Sequence, residues 1–288
     1  MKNTEFGISL AGGGLQGLAH IGALKALEEL GIKIKYISGT STGSAIAALY
    51  AMGYTPEEIK QICKEKYKKI LKIRKKVLCQ MATNFLLHKE TRVEGIIDGK
   101  LVENFINETA REKGKNIITD FNERQLAIAT VDTISMKECI FISNEIKNKN
   151  ENIDYITDIN IGKAVRSSMA FPAIFTTSNY KEYNFIDGGT ADNLPVQVLK
   201  DMGATKTIAI SFDLNKYSPS KSLEGVLIRA LDIFSNPSVQ KSRDLSDISI
   251  EIYNPGTSLL SMDEIEKTVE NGYNAVMSQK EKILAEEQ

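Results

Sequence analysis

Residues 6–53, FGISLAGGGLQGLAHIGALKALEELGIKIKYISGTSTGSAIAALYAMG, run twice through the same order of apolar strand, glycine turn and helix. Residues 6–10 (FGISL) are apolar, short and followed by glycines, which suits a buried strand. Residues 12–17 form a turn. Residues 18–30 (LAHIGALKALEEL) place apolar side chains at helical spacing and stop at Gly31. Residues 32–37 (IKIKYI) give a second strand, 39–43 (GTSTG) a second turn, and 44–52 (SAIAALYAM) a small-residue helix stopped by Gly53. Two such units in succession predict a parallel sheet. The expected fold is therefore α/β: three layers, α/β/α, with a mainly parallel central sheet.

Further along, residues 56–76 and 98–113 read as helices, and 125–131 and 138–143 as paired strands. Residues 144–152 make a polar loop. A helix over 161–169 ends at the Phe171-Pro172 break. Residues 183–186 form a strand leading into Asp187. A helix over 195–202 precedes a core strand at 206–212, and helices over 222–234 and 262–287 close the chain. Residues 77–94 carry no pattern that assigns an element. No repeat or linker interrupts residues 1–288, so a single domain is expected, with its motifs between about 6 and 203.

The composition narrows the function. The chain has 288 residues, 42% hydrophobic and 25% charged, within the globular range. A net charge of −1 lacks the basic excess of a nucleic-acid binder, so no nucleic-acid partner is expected. The cysteines are Cys63, Cys79 and Cys139, with no CxxC pair, and the two histidines lie far from any metal-ligand spacing. No metal site is expected from this spacing. The amino-terminal apolar stretch runs straight into glycines, without a signal-peptide pattern. No apolar run approaches the roughly 20 residues that span a bilayer. The expected location is the cytoplasm.

Gly39-Thr40-Ser41-Thr42-Gly43 matches G-x-S-x-G between a strand and a helix, the context that motif requires. A serine on such a sharp turn projects its hydroxyl beyond the sheet. The following helix aims its positive end at charge developing there. Ser41 is the candidate nucleophile.

Gly12, Gly13, Gly14, Leu15, Gln16 and Gly17 match G-x-G-x-x-G. One reading is a dinucleotide loop. That reading needs an acidic residue at the end of the second strand, where this chain has Ile37-Ser38-Gly39. The other reading is an oxyanion hole, in which bare backbone N–H groups approach a substrate carbonyl.

A serine nucleophile needs a base. A Ser–Asp–His order along the chain is impossible, because no histidine follows His88. Asp187 ends an apolar strand and is followed by Gly188 and Gly189, which permit close approach to another turn. It is the candidate base.

Together these pieces resemble the patatin-like phospholipase family, in its small bacterial single-domain branch. The resemblance rests on residues 12–17 with His20-Ile21-Gly22-Ala23-Leu24, on Gly39 to Gly43, on Ala164-Val165-Arg166-Ser167-Ser168 with Pro172, and on Asp187-Gly188-Gly189 with Asn193 and Pro195. It implies a Ser41–Asp187 dyad, an oxyanion hole from the Gly12, Gly13 and Gly14 backbone, and hydrolysis of acyl esters in lipids without a metal or organic cofactor. It also implies that His20 packs on the first helix and is not a base. The chain departs from the family pattern at Gln16, where Arg or Lys is usual. Acyl transfer, or a relative without catalysis, is the alternative within the family.

Nine Lys and Arg side chains fall between Lys60 and Lys76, opposed by Glu65 alone and interleaved with apolar residues. Two readings stand side by side. One is a patch for peripheral contact with anionic lipid. The other is a solvated helix face that packs its apolar side on the core.

Overall fold

Short β-branched and aromatic runs bounded by glycines do form strands here, and they assemble into one sheet. The structure is a computed structural model that describes residues 4–70, 95–146, 149–213, 223–254 and 265–287. Strands β1 (Phe6–Leu10), β2 (Ile34–Thr40) and β10 (Lys206–Phe212) form the buried centre. The sheet runs β11 (Ile248–Ile252), β10, β1, β2, β4 (Gln125–Asp132), β5 (Glu138–Ile142), β6 (Ile153–Ile156). The pairs β1–β10, β1–β2, β10–β11, β2–β4 and β5–β6 are parallel, and β4–β5 is antiparallel. The sheet is thus mainly parallel, as the sequence predicts.

Helices cover both faces. Side chains alternate along β4, so Leu126 and Ile128 join one cluster while Ala127 joins Ile140, Ile142 and Val198 of helix α6 (Val196–Met202) in another. Helix α1 (Ala19–Glu29) crosses α8 (Ile265–Met277), and α2 (Thr42–Ala51) packs with α3 (Pro56–Ile70), α4 (Lys100–Glu112) and α5 (Ile161–Ser168). A separate two-stranded piece pairs β3 (Gly95–Ile97) with β7 (Ala173–Phe175). The side chains of residues 60–66 sit on α3, where Lys60 and Lys64 both pair with Glu266 and Lys60 also with Glu57. Residues 71–94, including the remainder of the basic run and the unassigned segment, lie outside the described residues.

One pairing positions the site. Strand β9 (Tyr183–Asp187), with β8 (Ser178–Tyr180) beside it, runs antiparallel to β4 from Thr130↔Asp187 to Asp132↔Phe185. Strand β2 pairs with the earlier part of β4, from Tyr36↔Gln125 to Thr40↔Ala129, while β5 pairs with β4 from Ala127 to Val131. A strand has two edges, so β2 and β9 share one of them and meet end to end. The residue after Thr40 is Ser41, and the last residue of β9 is Asp187.

Two helices differ from the periodicity. Residues 262–287 suggest one helix, but α8 ends at Met277 and α9 (Lys280–Glu287) starts anew. The Ser278 hydroxyl donates to the Ala275 carbonyl (2.8 Å), competing with the helix ladder where it breaks. Residues 222–234 suggest a helix ending at Phe234. Instead α7 runs on through Pro237 as Leu223–Leu245.

Candidate active site

Ser41 sits at φ 52° and ψ −125°, a left-handed conformation that an L-residue adopts at a cost of about 1–3 kcal/mol. The surroundings hold it there. Its N–H donates to Ser168 Oγ (2.9 Å), and that hydroxyl donates to the Ala129 carbonyl (2.6 Å). Its carbonyl accepts from the Ser44 N–H (3.0 Å) and hydroxyl (2.6 Å). Helix α2 begins against β1: a Cβ on Gly43 would stand 2.3 Å from the Leu10 carbonyl oxygen, so no larger residue fits without moving the turn. Thr40 donates its hydroxyl to the Asp192 carbonyl (2.8 Å).

The glycine loop passes directly over this turn. A Cβ on Gly12 would lie 3.0 Å from Ser41 Cβ and 2.5 Å from Asn193 Oδ1. Asn193 clamps the loop by accepting the Gly12 N–H on Oδ1 (3.1 Å) and returning a bond from Nδ2 to the Gly12 carbonyl (3.3 Å). The Gly12 donor is therefore engaged. Among the described residues, the N–H groups of Gly13 and Gly14 have no protein partner. His20 anchors the strand end from below, with Nε2 2.8 Å from the Ala11 carbonyl and its ring 5.1 Å from that of Phe212. Burial holds its pKa down to about 4, so the ring is neutral and fully inside. Gln16 is also buried, beside a small cavity of about 20 Å³ that Asn193 and Asp232 share.

Asp187 is 1% exposed. Its N–H donates to the Ala170 carbonyl (3.0 Å), and its Oδ1 accepts from the Gly189 N–H (2.8 Å). Burial lifts its pKa to about 6, with the Ser41 hydroxyl and the Gly189 N–H pulling it back. Oδ2 has no partner of regular hydrogen-bond geometry. The Ser41 hydroxyl is near enough to this carboxyl to lower its pKa, without a regular hydrogen bond to it.

Ser41, Asp187, Thr42, Gly12, Gly13 and Gly14 line a single cavity of about 130 Å³. Most of the remaining wall is apolar, from Ala45, Ile46 and Leu49 of α2, Val102, Phe105 and Ile106 of α4, and Met169, Phe171 and Phe175, with Asn193 and Asp232 as polar members. Cys63 also faces it, but burial pushes that thiol up to about 12, so it stays protonated and is no rival nucleophile. The other motif residues serve the frame. Leu15 is buried, Gly17 backs onto Thr42, Gly39 underlies Gly43, and Gly188 and Gly189 turn the chain after Asp187. Sequence reasoning assigned no role to Ser168 or Asn193, which appear there only within the family resemblance. Among the described residues, no cluster of His, Cys, Asp and Glu suits a metal ion.

A family model described as Patatin-like phospholipase matches residues 8–200. The Bacillus subtilis (strain 168) protein YqhO is 29% identical over 196 residues, covering 65% of this chain and 64% of its own length. Lysophospholipase NTE1 of Meyerozyma guilliermondii is 26% identical over 212 residues, covering 73% of this chain but 13% of that much longer protein. The crystal structure of VipD from Legionella pneumophila superposes with a TM-score of 0.55 at 16% identity, covering 98% of this chain and 67% of that one. That likeness concerns the fold.

Proposed function

This chain belongs to the patatin-like phospholipase family, and on that premise we propose that it hydrolyses carboxylic esters of lipids with Ser41 as nucleophile and Asp187 as base. The observation that carries the reading is the meeting of both side chains with two unengaged backbone donors in one apolar cavity. A free aspartate, near pKa 3.9, is a weak base at neutral pH. Burial that lifts Asp187 to about 6 brings it nearer to the task while leaving it ionised at pH 7.

In the first step Asp187 accepts the Ser41 proton as Oγ attacks the ester carbonyl. The Gly13 and Gly14 N–H groups and the amino end of α2 stabilise the oxyanion, at roughly 3 kcal/mol per well-placed donor. Asp187 returns the proton to the departing alcohol. A water molecule, deprotonated by Asp187, then attacks the acyl-enzyme and releases the carboxylic acid. Asn193 holds the glycine loop in place, and Ser168 holds the strained turn.

The apolar walls support a fatty acyl group as the bound part of the substrate. Thr42, Ala45, Ile46 and Leu49 follow one face of α2 for two turns beyond Ser41, a depth of about 12 Å at 1.5 Å per residue. Each methylene buried there contributes about 0.8 kcal/mol, or nearly four-fold in affinity. Hydrolysis of p-nitrophenyl esters is therefore expected to rise in kcat/KM by an order of magnitude or more from acetate to octanoate. A flat or falling series would remove the acyl-binding assignment of this cavity.

A further inference from the structure

Helix α7 carries a surface that the chemistry leaves unused. At 100° per residue, Val226, Ala230, Ile233, Phe234 and Pro237 fall on one stripe roughly 100° wide. Val226, Ile233 and Phe234 are 54%, 61% and 77% exposed. The buried line of the same helix, Ser235, Val239 and Ser242, lies on its opposite side. A helix on a globular core normally turns its apolar stripe inward. Here Val226, Ile233 and Phe234 point outward, away from the buried line of Ser235, Val239 and Ser242.

The inner side of α7 also reaches the active-site cavity. Asp232 lines that cavity together with Ser41, Gly12, Gly13 and Gly14. The helix thus stands between the cavity and the outside, with its apolar stripe outermost. Lys241, which is exposed, lies about one turn beyond Pro237 on the same side of the helix as the stripe.

We propose that the outer face of α7 docks the protein on a lipid surface, beside the cavity that takes the acyl chain. The choice of a lipid partner rests on the hydrolase reading above. The stripe is too small for a stable protein partner: it is about 17 Å long and one helix wide, roughly 170 Å² against the 800 Å² or so that each side of such an interface buries. A helix lying in the head-group region needs no such area, only a few large apolar side chains and basic residues at their margin. This surface is distinct from the basic run beginning at Lys60, two of whose lysines already pair with Glu266.

The test is flotation of the full chain with phosphatidylcholine vesicles, which carry no net charge. It compares wild type, Ser41→Ala, the double variant Ile233→Ser/Phe234→Ser, and Val226→Ser. Wild type and Ser41→Ala are expected to float equally, at low salt and at about 0.5 M salt alike, since apolar docking is not screened. The bound fraction is expected to fall at least five-fold in the double variant and measurably in Val226→Ser. The ratio of vesicle-lipid hydrolysis to hydrolysis of dissolved p-nitrophenyl butyrate is expected to fall at least ten-fold in the double variant. Wild type that does not float, variants that float as well as wild type, release of wild type by salt, or a wild-type dimer that the double variant turns into monomers would each overturn the proposal. Flotation of a wild type without esterase activity would overturn the hydrolase reading and leave the docking face standing.

Discussion

Ser41→Ala is expected to lower ester hydrolysis by 10³-fold or more while leaving the fold intact. In the proposed mechanism this hydroxyl forms the acyl-enzyme, and removing a serine nucleophile from a working set costs on the order of 10³–10⁶ in rate. The residual rate would come from the Gly13 and Gly14 donors acting on bound ester with water as nucleophile. The backbone gives little reason for collapse. Alanine meets the same Cβ strain at φ 52° as serine does, and the Ser41 hydroxyl accounts for none of the bonds that hold the turn. Turnover of p-nitrophenyl butyrate, with circular dichroism on the same samples, reads both halves. Undiminished turnover would exclude Ser41 as nucleophile.

Asp187→Asn is expected to lower turnover about as far, and to stabilise the protein near neutral pH. An amide keeps the acceptor for the Gly189 N–H but accepts no proton from Ser41. In the wild type, activity is expected to fall as pH drops through about 6, where Asp187 takes up a proton, and to be level above it. The stability effect has the opposite sense. The folded pKa of about 6 lies above the unfolded value near 3.8, so folding favours the protonated acid. That contribution is fully present below pH 3.8 and is lost as pH rises through about 6. The buried carboxylate then costs up to ~3 kcal/mol relative to a neutral group. Thermal melting of the two proteins should therefore diverge between pH 4 and 6.5, with the asparagine variant higher at pH 8. A wild type that is the more stable at pH 8 would mean that burial does not dominate at Asp187.

The difference between what was legible in the sequence and what was not follows the range of the interactions. The strand–turn–helix units at residues 6–53 are local, and periodicity with glycine stops located them to within a few residues. Ser41 and the glycine loop were legible for the same reason. How Asp187 reaches Ser41 was not. That approach depends on β9 taking the edge of β4 that β2 vacates after Thr40, a pairing across more than fifty residues that no local pattern encodes. The engagement of the Gly12 N–H by Asn193 depends on a contact across 181 positions, so sequence offered three equivalent oxyanion donors where the structure leaves two unengaged. Strand β11 was legible but unread: Ile248-Ser249-Ile250-Glu251-Ile252 alternates as an edge strand should. Helix α7 runs past the end expected for it at Phe234 and through Pro237 to Leu245. A surface proline forfeits one ladder bond, and packing of Ser235 and Val239 on the core carries the helix past it.

The central claim is that Ser41 is a nucleophile activated by Asp187. Its most direct measurement is covalent labelling with a fluorophosphonate, which phosphonylates an activated serine without needing the right lipid. Intact mass and peptide mapping are expected to give one adduct, on the peptide containing Ser41, forming faster as pH rises through about 6. The adduct should be absent in Ser41→Ala and form at least 100-fold more slowly in Asp187→Asn. An adduct on another residue, no adduct on folded wild type, or labelling of Ser41 at the same rate in Asp187→Asn would contradict the claim.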